Sequence, residues 1–341
     1  MRIAEPPAAP TLPRRIRARY DVSAVVDEPG EWLMRAESVI PAVAKRTNHL
    51  TLLCCTPGGG CTGDYFDLGK PDAGFSFARY ASAAGFACVL IDNLGTGQST
   101  PGDNLWLSPQ TVARAGVEAF RLAADDLRAL LPATTTVNTV AVGHSMGAML
   151  ALIGEAIKPQ HTAIACLGFS TAGLPDALTR EERRIATAGP VSLEVLTAMA
   201  RQRLSGSAPD QPAPAPFPFN LPGTDPVGVA ALRAVMTNLV PLPSMLSIVP
   251  GNITDYIREI TVPVFLGGGD HEPWHKAAQL VPAFANSADI TFYSLADSAH
   301  NHNIAGSRQL LWRRLLGWAD VVSSVGFWPT TSCRVCRGQP H

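Results

Sequence analysis

Charge is scarce in this chain. Only 16% of its 341 residues are charged, the 27 Lys and Arg nearly balance the 28 Asp and Glu, and the formal net charge is -1. Without a basic face or run there is no footprint for nucleic acid or for an anionic membrane surface. Long apolar runs are missing too: none is long enough to cross a bilayer, and Met1 to Tyr20, rich in Pro, Ala and Arg, lacks the apolar centre of a signal peptide. These absences describe a soluble intracellular protein, expected in the cytoplasm, whose partner is a small, weakly charged molecule. No disulfide framework is visible either. Seven cysteines cannot all pair, Cys54 and Cys55 are adjacent, and Cys88 and Cys166 sit inside apolar runs as small hydrophobes do.

Cofactor and metal signatures fail on inspection. Gly95-x-Gly97 lacks the third glycine of a dinucleotide fingerprint and the Gly-Lys-Ser/Thr of a phosphate loop, so it reads as a turn. His271-Glu272-Pro273-Trp274-His275 spells the zinc motif H-E-x-x-H, whose two histidines must share one face of a helix. Pro273 stands at its centre, and an interior proline costs a helix about 3 kcal/mol. The stretch reads instead as the loop after Asp270, with Pro273 opening the next helix. Cys333-x-x-Cys336 is half a zinc site with no second half. No cofactor and no metal are expected.

The chain does hold a hydrophobic fraction of 46%, sufficient for one large core. Residues 1–15 read as a disordered leader. Ile16 to Val26 and Trp32 to Ile40 read as antiparallel edge strands, and Leu50 to Cys55, Phe86 to Ile91, Val137 to Val142, Thr162 to Phe169, Val262 to Leu266 and Asp289 to Leu295 as buried strands. Between them lie helical stretches, among them Phe75 to Ala84, Ser108 to Leu131 behind a Ser-Pro start, Met149 to Ile157 and Ser307 to Val322. Buried strands alternating with helices predict an α/β protein with a mostly parallel sheet covered on both faces, built from 16–170 and 261–323. The segment 171–260 breaks the rhythm. It has helical stretches and a Pro-rich run, Ala208 to Pro222, but no strand pattern, and is expected to be an inserted, mainly helical cap. Its Leu232, Val235, Met236, Leu239, Met245, Leu246 and Ile248 either pack it onto the core or face a site and select an apolar substrate. Residues 324–341 read as a loose tail.

The most informative stretch is Gly143-His144-Ser145-Met146-Gly147, a G-x-S-x-G box where a buried strand gives way to a helix. A reversal that tight forces the serine into a strained backbone, and the flanking glycines let strand and helix close around it. A serine hydroxyl needs a base to act at neutral pH, and the base needs a carboxylate to orient it. Asp270 follows the strand ending at Leu266, on a run of three glycines, and His300 follows the strand ending at Leu295. Both therefore fall at the same sheet edge as Ser145. His302 competes with His300 for the base, and Asp297 is nearer to His300 in sequence but reads as a turn cap. Asp176, after the strand ending at Phe169, is the fallback acid.

Together with Asp92-Asn93-Leu94-Gly95-Thr96-Gly97-Gln98-Ser99, these motifs give a chain that resembles the α/β-hydrolase-fold superfamily, serine esterases and lipases with an inserted cap, over about 48–170 and 260–320. The resemblance implies Ser145 as nucleophile, His300 as general base and then acid, Asp270 as orienting carboxylate, and the Met146 N–H as one oxyanion donor. It puts the second donor at Gly59 or Gly60, a register left open because Pro57-Gly58 stands where many members have His-Gly, with Gly59 the choice between them. The implied activity is hydrolysis of a carboxylic ester or lactone of a small apolar molecule through an acyl-enzyme. Acyl transfer, thioester hydrolysis and carbon–carbon bond hydrolysis use the same groups, and a non-catalytic ligand-binding member is the reading from another class.

Overall fold

A computed structural model describes residues 13–69, 74–100, 106–204, 219–272 and 280–324. Strands β1 (Arg14–Asp21), β2 (Leu33–Ile40), β3 (His49–Thr56), β4 (Ala87–Ile91), β5 (Thr136–His144), β6 (Ala163–Leu167), β7 (Val264–Gly269) and β8 (Ile290–Leu295) make one eight-stranded sheet, in the order β1-β2-β4-β3-β5-β6-β7-β8. β2 pairs antiparallel with β1 and with β4, and every other neighbouring pair is parallel. β4 and β6 are buried along their whole length, which their unbroken apolar sequences Ala-Cys-Val-Leu-Ile and Ala-Ile-Ala-Cys-Leu require of strands covered on both faces. β1 is one edge of the sheet and β8 is the other; β8, expected to be a buried strand, is mostly half-buried because it has a neighbour on one side only. Arg14, Arg15, Arg17 and Arg19 of β1 blunt its edge against pairing with another chain.

Helices α2 (Pro109–Ala129) and α3 (Met146–Ile157) cover one face, where Val112, Phe120, Met149 and Ile153 meet Leu52 and Cys54. Helices α1 (Phe77–Ala83) and α9 (Arg308–Ser324) cover the other, where Phe77, Trp312 and Leu315 meet Leu53 and Cys55. Cys54 and Cys55 thus point to opposite faces, as neighbours on a strand must. Both are buried thiols without a disulfide, and burial pushes Cys54 well above the usual thiol range. The Ser-Pro start of α2 acts as expected, with Ser108 Oγ accepting from the Thr111 N–H at 3.0 Å.

Arg14 and Arg15, expected in the leader, belong to β1, while residues 1–12 and the expected tail from 325 onward lie outside the described residues. β1 also stops at Asp21 rather than running to Val26, because a short turn of helix at Ser23–Val25 follows it. Between β6 and β7 the described residues hold helices and no strand: α4 (Arg180–Thr187), α5 (Leu193–Leu204), α6 (Pro226–Ala234), α7 (Pro241–Ile248) and α8 (Thr254–Arg258). Most of the Pro-rich run, 208–218, lies outside the described residues. No described helix is long and apolar enough to cross a membrane.

Within this insertion Leu232, Met245 and Leu246 are buried, whereas Met236 and Leu239 are exposed. The segment 235–238 is tied across the loops that end β3 and β4. Val235 O accepts from the Thr62 N–H at 3.0 Å, the Thr237 N–H donates to Gly60 O at 2.9 Å, and Asn238 Nδ2 donates to Gly95 O at 3.0 Å. That is the carboxyl edge of the sheet, where β5 delivers Ser145.

Candidate active site

Ser145 has φ 54° and ψ -124°, one of the few positive-φ positions held by a residue other than glycine. Such a conformation costs about 1–3 kcal/mol and persists only where its surroundings enforce it. They do so through close contact. A Cβ on Gly143 would lie 2.3 Å from Ala148 Cα, and one on Gly147 would lie 2.2 Å from Thr56 O, so β5, α3 and the end of β3 meet at distances only glycine permits. The Ser145 N–H donates to Leu167 O at 2.8 Å, pinning the turn to β6. Its side chain makes no capping hydrogen bond to α3 and stays partly exposed. The hydroxyl is therefore presented at the sheet edge rather than spent on the helix.

Gly58 packs directly on this turn: a Cβ there would sit 3.2 Å from Ser145 Cβ and 2.9 Å from His144 Nδ1. Gly59 faces Met146, with its Cβ position 3.5 Å from Met146 Sδ and 3.2 Å from Leu239 Cδ2, whereas Gly60 turns toward Leu239 and Thr237 at φ 74°. Met146 is the first residue of α3, so its N–H has no acceptor within the helix.

The histidines come from the loop after β8. His300 lies at this edge, tied to the elbow through its own carbonyl, which accepts from His144 Nε2 at 2.9 Å. Because a carbonyl can only accept, His144 carries its proton on Nε2. Burial first, then the neighbouring His300 and His302, push the His144 pKa well below the usual histidine range, so it stays neutral. Tyr65 stacks on it with ring centroids 4.4 Å apart. Gly168, at the end of β6 with φ 61°, makes room for the loop: a Cβ there would meet His302 Cε1 at 3.0 Å and His300 Nδ1 at 3.2 Å.

The carboxylate that meets His300 is Glu272, not Asp270. His300 Nδ1 lies 3.0 Å from Glu272 Oε2, and His302 Nε2 lies 2.5 Å from Glu272 Oε1. The same Oε1 accepts from the Gly269 N–H at 2.9 Å. The Glu272 side chain is fully buried. Burial opposes its ionisation, but the charge of His302 and the hydrogen bonds from His300 and His302 outweigh that and hold the carboxyl far below the usual range. Asp270, the expected orienting carboxylate, is 38% exposed on its side chain and turns to the backbone, where it accepts from the N–H groups of Asp297 and Ser298, each at 3.1 Å. It clamps the turn that leads to His300 without touching the ring. The physical reason is reach. A Cβ on Gly269 would lie 2.1 Å from Ser298 O, so the loop after β8 packs tightly on the end of β7. The residue next in line is then taken up by that loop's backbone, and the longer side chain two positions on reaches the imidazole.

Of the other candidates, Asp297 adopts φ 52° within that turn, and Asp176 is an exposed residue 3.7 Å from Arg183. His302 is 1% exposed on its side chain, with Nε2 turned to Glu272 and Nδ1 buried with no hydrogen-bond partner among the described residues. In the literal H-E-x-x-H, Glu272 is already occupied by two other histidines, and Pro273, Trp274 and His275 lie outside the described residues, as do Cys333 and Cys336. No cluster of metal-ligating side chains occurs among the described residues.

A strained serine on a strand–turn–helix elbow, in a mostly parallel sheet of this strand order, defines the class of α/β hydrolases. The family model described as "Alpha/beta hydrolase family" matches residues 52–310, and the chain belongs to that family. No curated protein matches its sequence. Among solved structures it is similar to the alpha/beta hydrolase GrgF from Penicillium sp. sh18, with TM-score 0.57 and 16% identity over 92% of this chain and 100% of that one. It is similar also to the peroxisomal alpha-beta-hydrolase Lpx1 of Saccharomyces cerevisiae, with TM-score 0.56 and 11% identity over 95% and 93%. A third is the proline iminopeptidase of Mycobacterium smegmatis, with TM-score 0.56 and 16% identity over 90% and 99%. At such identities the likeness is one of fold.

Proposed function

We propose that the protein is a serine hydrolase that cleaves a carboxylic ester or lactone of a small, largely apolar molecule. Ser145 Oγ attacks the carbonyl carbon while His300 Nε2 takes its proton. The oxyanion is held by the N–H groups of Met146 and Gly59, and the imidazolium by Glu272. His300 then returns the proton to the leaving oxygen, giving an acyl-enzyme. Water, activated by the same imidazole, releases the acid and restores Ser145. Asp270 acts here as a loop clamp in place of the triad role its position suggested.

The observation that carries this reading is the buried Glu272 carboxylate on His300 Nδ1, which orients the imidazole with Nδ1–H toward the acid and leaves Nε2 as the basic nitrogen. The facing of Gly59 toward Met146 supports it as the second oxyanion donor over Gly60. The insertion 171–260 serves as a lid over the site, a role supported by the hydrogen bonds of 235–238 to the loops after β3 and β4. Exposed Leu239, beside Gly59 and Gly60, and exposed Met236, bridged to Cys61, support an apolar substrate.

The test is intact-mass analysis after exposure to a fluorophosphonate, on the parent and on Ser145→Ala together. A single adduct on the parent and none on the variant is expected. An unmodified, folded parent would overturn the hydrolase reading in favour of a ligand-binding member of the family.

A further inference from the structure

The proton that the base hands to the leaving oxygen fixes where the alcohol half of an ester must lie, within hydrogen-bond reach of the His300 ring. Side chains beside that ring therefore bound the alcohol half. His144 and His302 meet it with ring centroids 4.8 and 6.3 Å away, and both are almost wholly buried. Phe219 meets it at 5.5 Å with the two planes at 72°, and is 51% exposed. Of these three ring neighbours, Phe219 is the one that a molecule arriving from solvent can touch.

Phe219 belongs to the insertion, and the insertion is fastened to the base at this point. Phe219 O accepts from the Asn301 N–H at 3.0 Å, and Asn220 Oδ1 accepts from Asn301 Nδ2 at 2.8 Å. Beside this join, residues 219–224 and the loop 297–306 border a cavity of about 300 Å³, with Leu221, Pro222, Ala299 and Ile304 as apolar walls. That is the lower end of the roughly 300–1,000 Å³ common for small-molecule sites. Phe219 lines the same cavity.

We propose that Phe219 is a specificity-determining residue that sets the size of the alcohol half of the substrate. It both meets the base and lines the cavity, so a compact apolar alcohol fits beside His300, while a branched one is stopped by the ring and kept out of the cavity. The inference rests on Ser145 and His300 acting as proposed above. An aromatic ring on a backbone tied by two hydrogen bonds yields poorly to a bulky group, and the energy of displacing it is lost from the transition state. Phe219→Ala removes the ring yet keeps both ties, because one comes from the backbone and the other from Asn220.

The test compares phenyl butyrate with 4-tert-butylphenyl butyrate, which share an acyl half and release phenols of similar acidity. The ratio of their kcat/KM values, bulky over compact, does not depend on how much of a sample is active. In Phe219→Ala this ratio is expected to rise at least about tenfold over the parent, the order of effect of one group admitted to an apolar pocket. In Phe219→Trp it should fall. The preference between phenyl acetate and phenyl hexanoate, which differ in the acyl half, should stay as in the parent. An unchanged alcohol preference in Phe219→Ala, or an acyl preference that moves as far, overturns the proposal. Fluorophosphonate labelling of the same samples tells the two readings apart. A labelled parent whose alcohol preference ignores position 219 overturns this proposal alone, whereas an unlabelled, folded parent overturns the hydrolase reading and this proposal with it.

Discussion

At the scale of single residues the decisive distinction is between two acids two positions apart. Asp270 has the position that strand-end reasoning favours, and Glu272 has the contact. Glu272→Gln keeps the size of the side chain but removes the charge that stabilises imidazolium and lets the amide select the wrong tautomer. Turnover of a p-nitrophenyl ester should fall roughly 10^3 to 10^4-fold, as when the acid of such a triad is neutralised. Asp270→Asn retains an acceptor oxygen for the 297–298 backbone and should cost less than about tenfold, because it acts only through loop position. Equal losses in the two variants, or a greater loss at Asp270, would return the orienting role to Asp270. The sequence contained Glu272 in plain view, inside a motif that its central proline disqualified as a zinc site. What it did not show was how closely the loop after β8 would press on Gly269, and that contact decides which side chain has the length to reach the ring.

At the scale of elements the sequence was far more legible. Leu50 to Cys55 and Phe86 to Ile91 fall within a residue or so of β3 and β4, because a strand buried on both faces must be largely apolar, and Asp289 to Leu295 falls as close to β8 although that strand is a half-buried edge. The helix start at Ser108-Pro109 was readable from capping chemistry alone. The path of 171–260 was not, since its order comes from contacts with remote loops such as Thr62 to Val235 and Asn238 to Gly95, which leave no periodic trace. The elbow gives a prediction at this scale. Gly147→Ala would drive a Cβ into Thr56 O and Pro57 O, and the backbone of β3 cannot yield as a side-chain tip would. A loss of about 3 kcal/mol in denaturant unfolding is expected. Gly317→Ala, in the interior of α9 with nothing within 4 Å of the new Cβ, should instead gain about 0.5–1 kcal/mol from helix propensity. If the two substitutions change stability alike, close approach at the elbow is not what selects glycine there.

At the scale of the whole molecule, stability is tied to pH by a pair of groups remote from the proposed chemistry. Glu155, near the end of α3, is buried. Burial raises its pKa to about 7 despite hydrogen bonds from the backbone N–H groups of Gln160 and His161. Burial likewise lowers His161 to about 4. The two act in opposite directions. From about pH 4.5 to 7 the folded protein keeps a proton on Glu155 that the unfolded chain has released, so this group makes stability fall as pH rises. From about pH 4 to 6.5 the unfolded chain protonates His161 while the folded protein does not, so that group makes stability rise. Over most of the acid range they offset one another, and above about pH 6.5 the carboxyl term acts alone. Glu155→Gln retains an acceptor for both N–H groups and removes only that term. Its stability relative to the parent should therefore climb between pH 4.5 and 7, by up to about 3 kcal/mol, and level off above. Urea unfolding of both proteins at pH 4.5, 6, 7 and 8.5 measures the difference directly. A difference constant across those four values would mean that Glu155 ionises in the folded protein as readily as in the unfolded chain, and that burial against the sheet costs this molecule nothing at neutral pH.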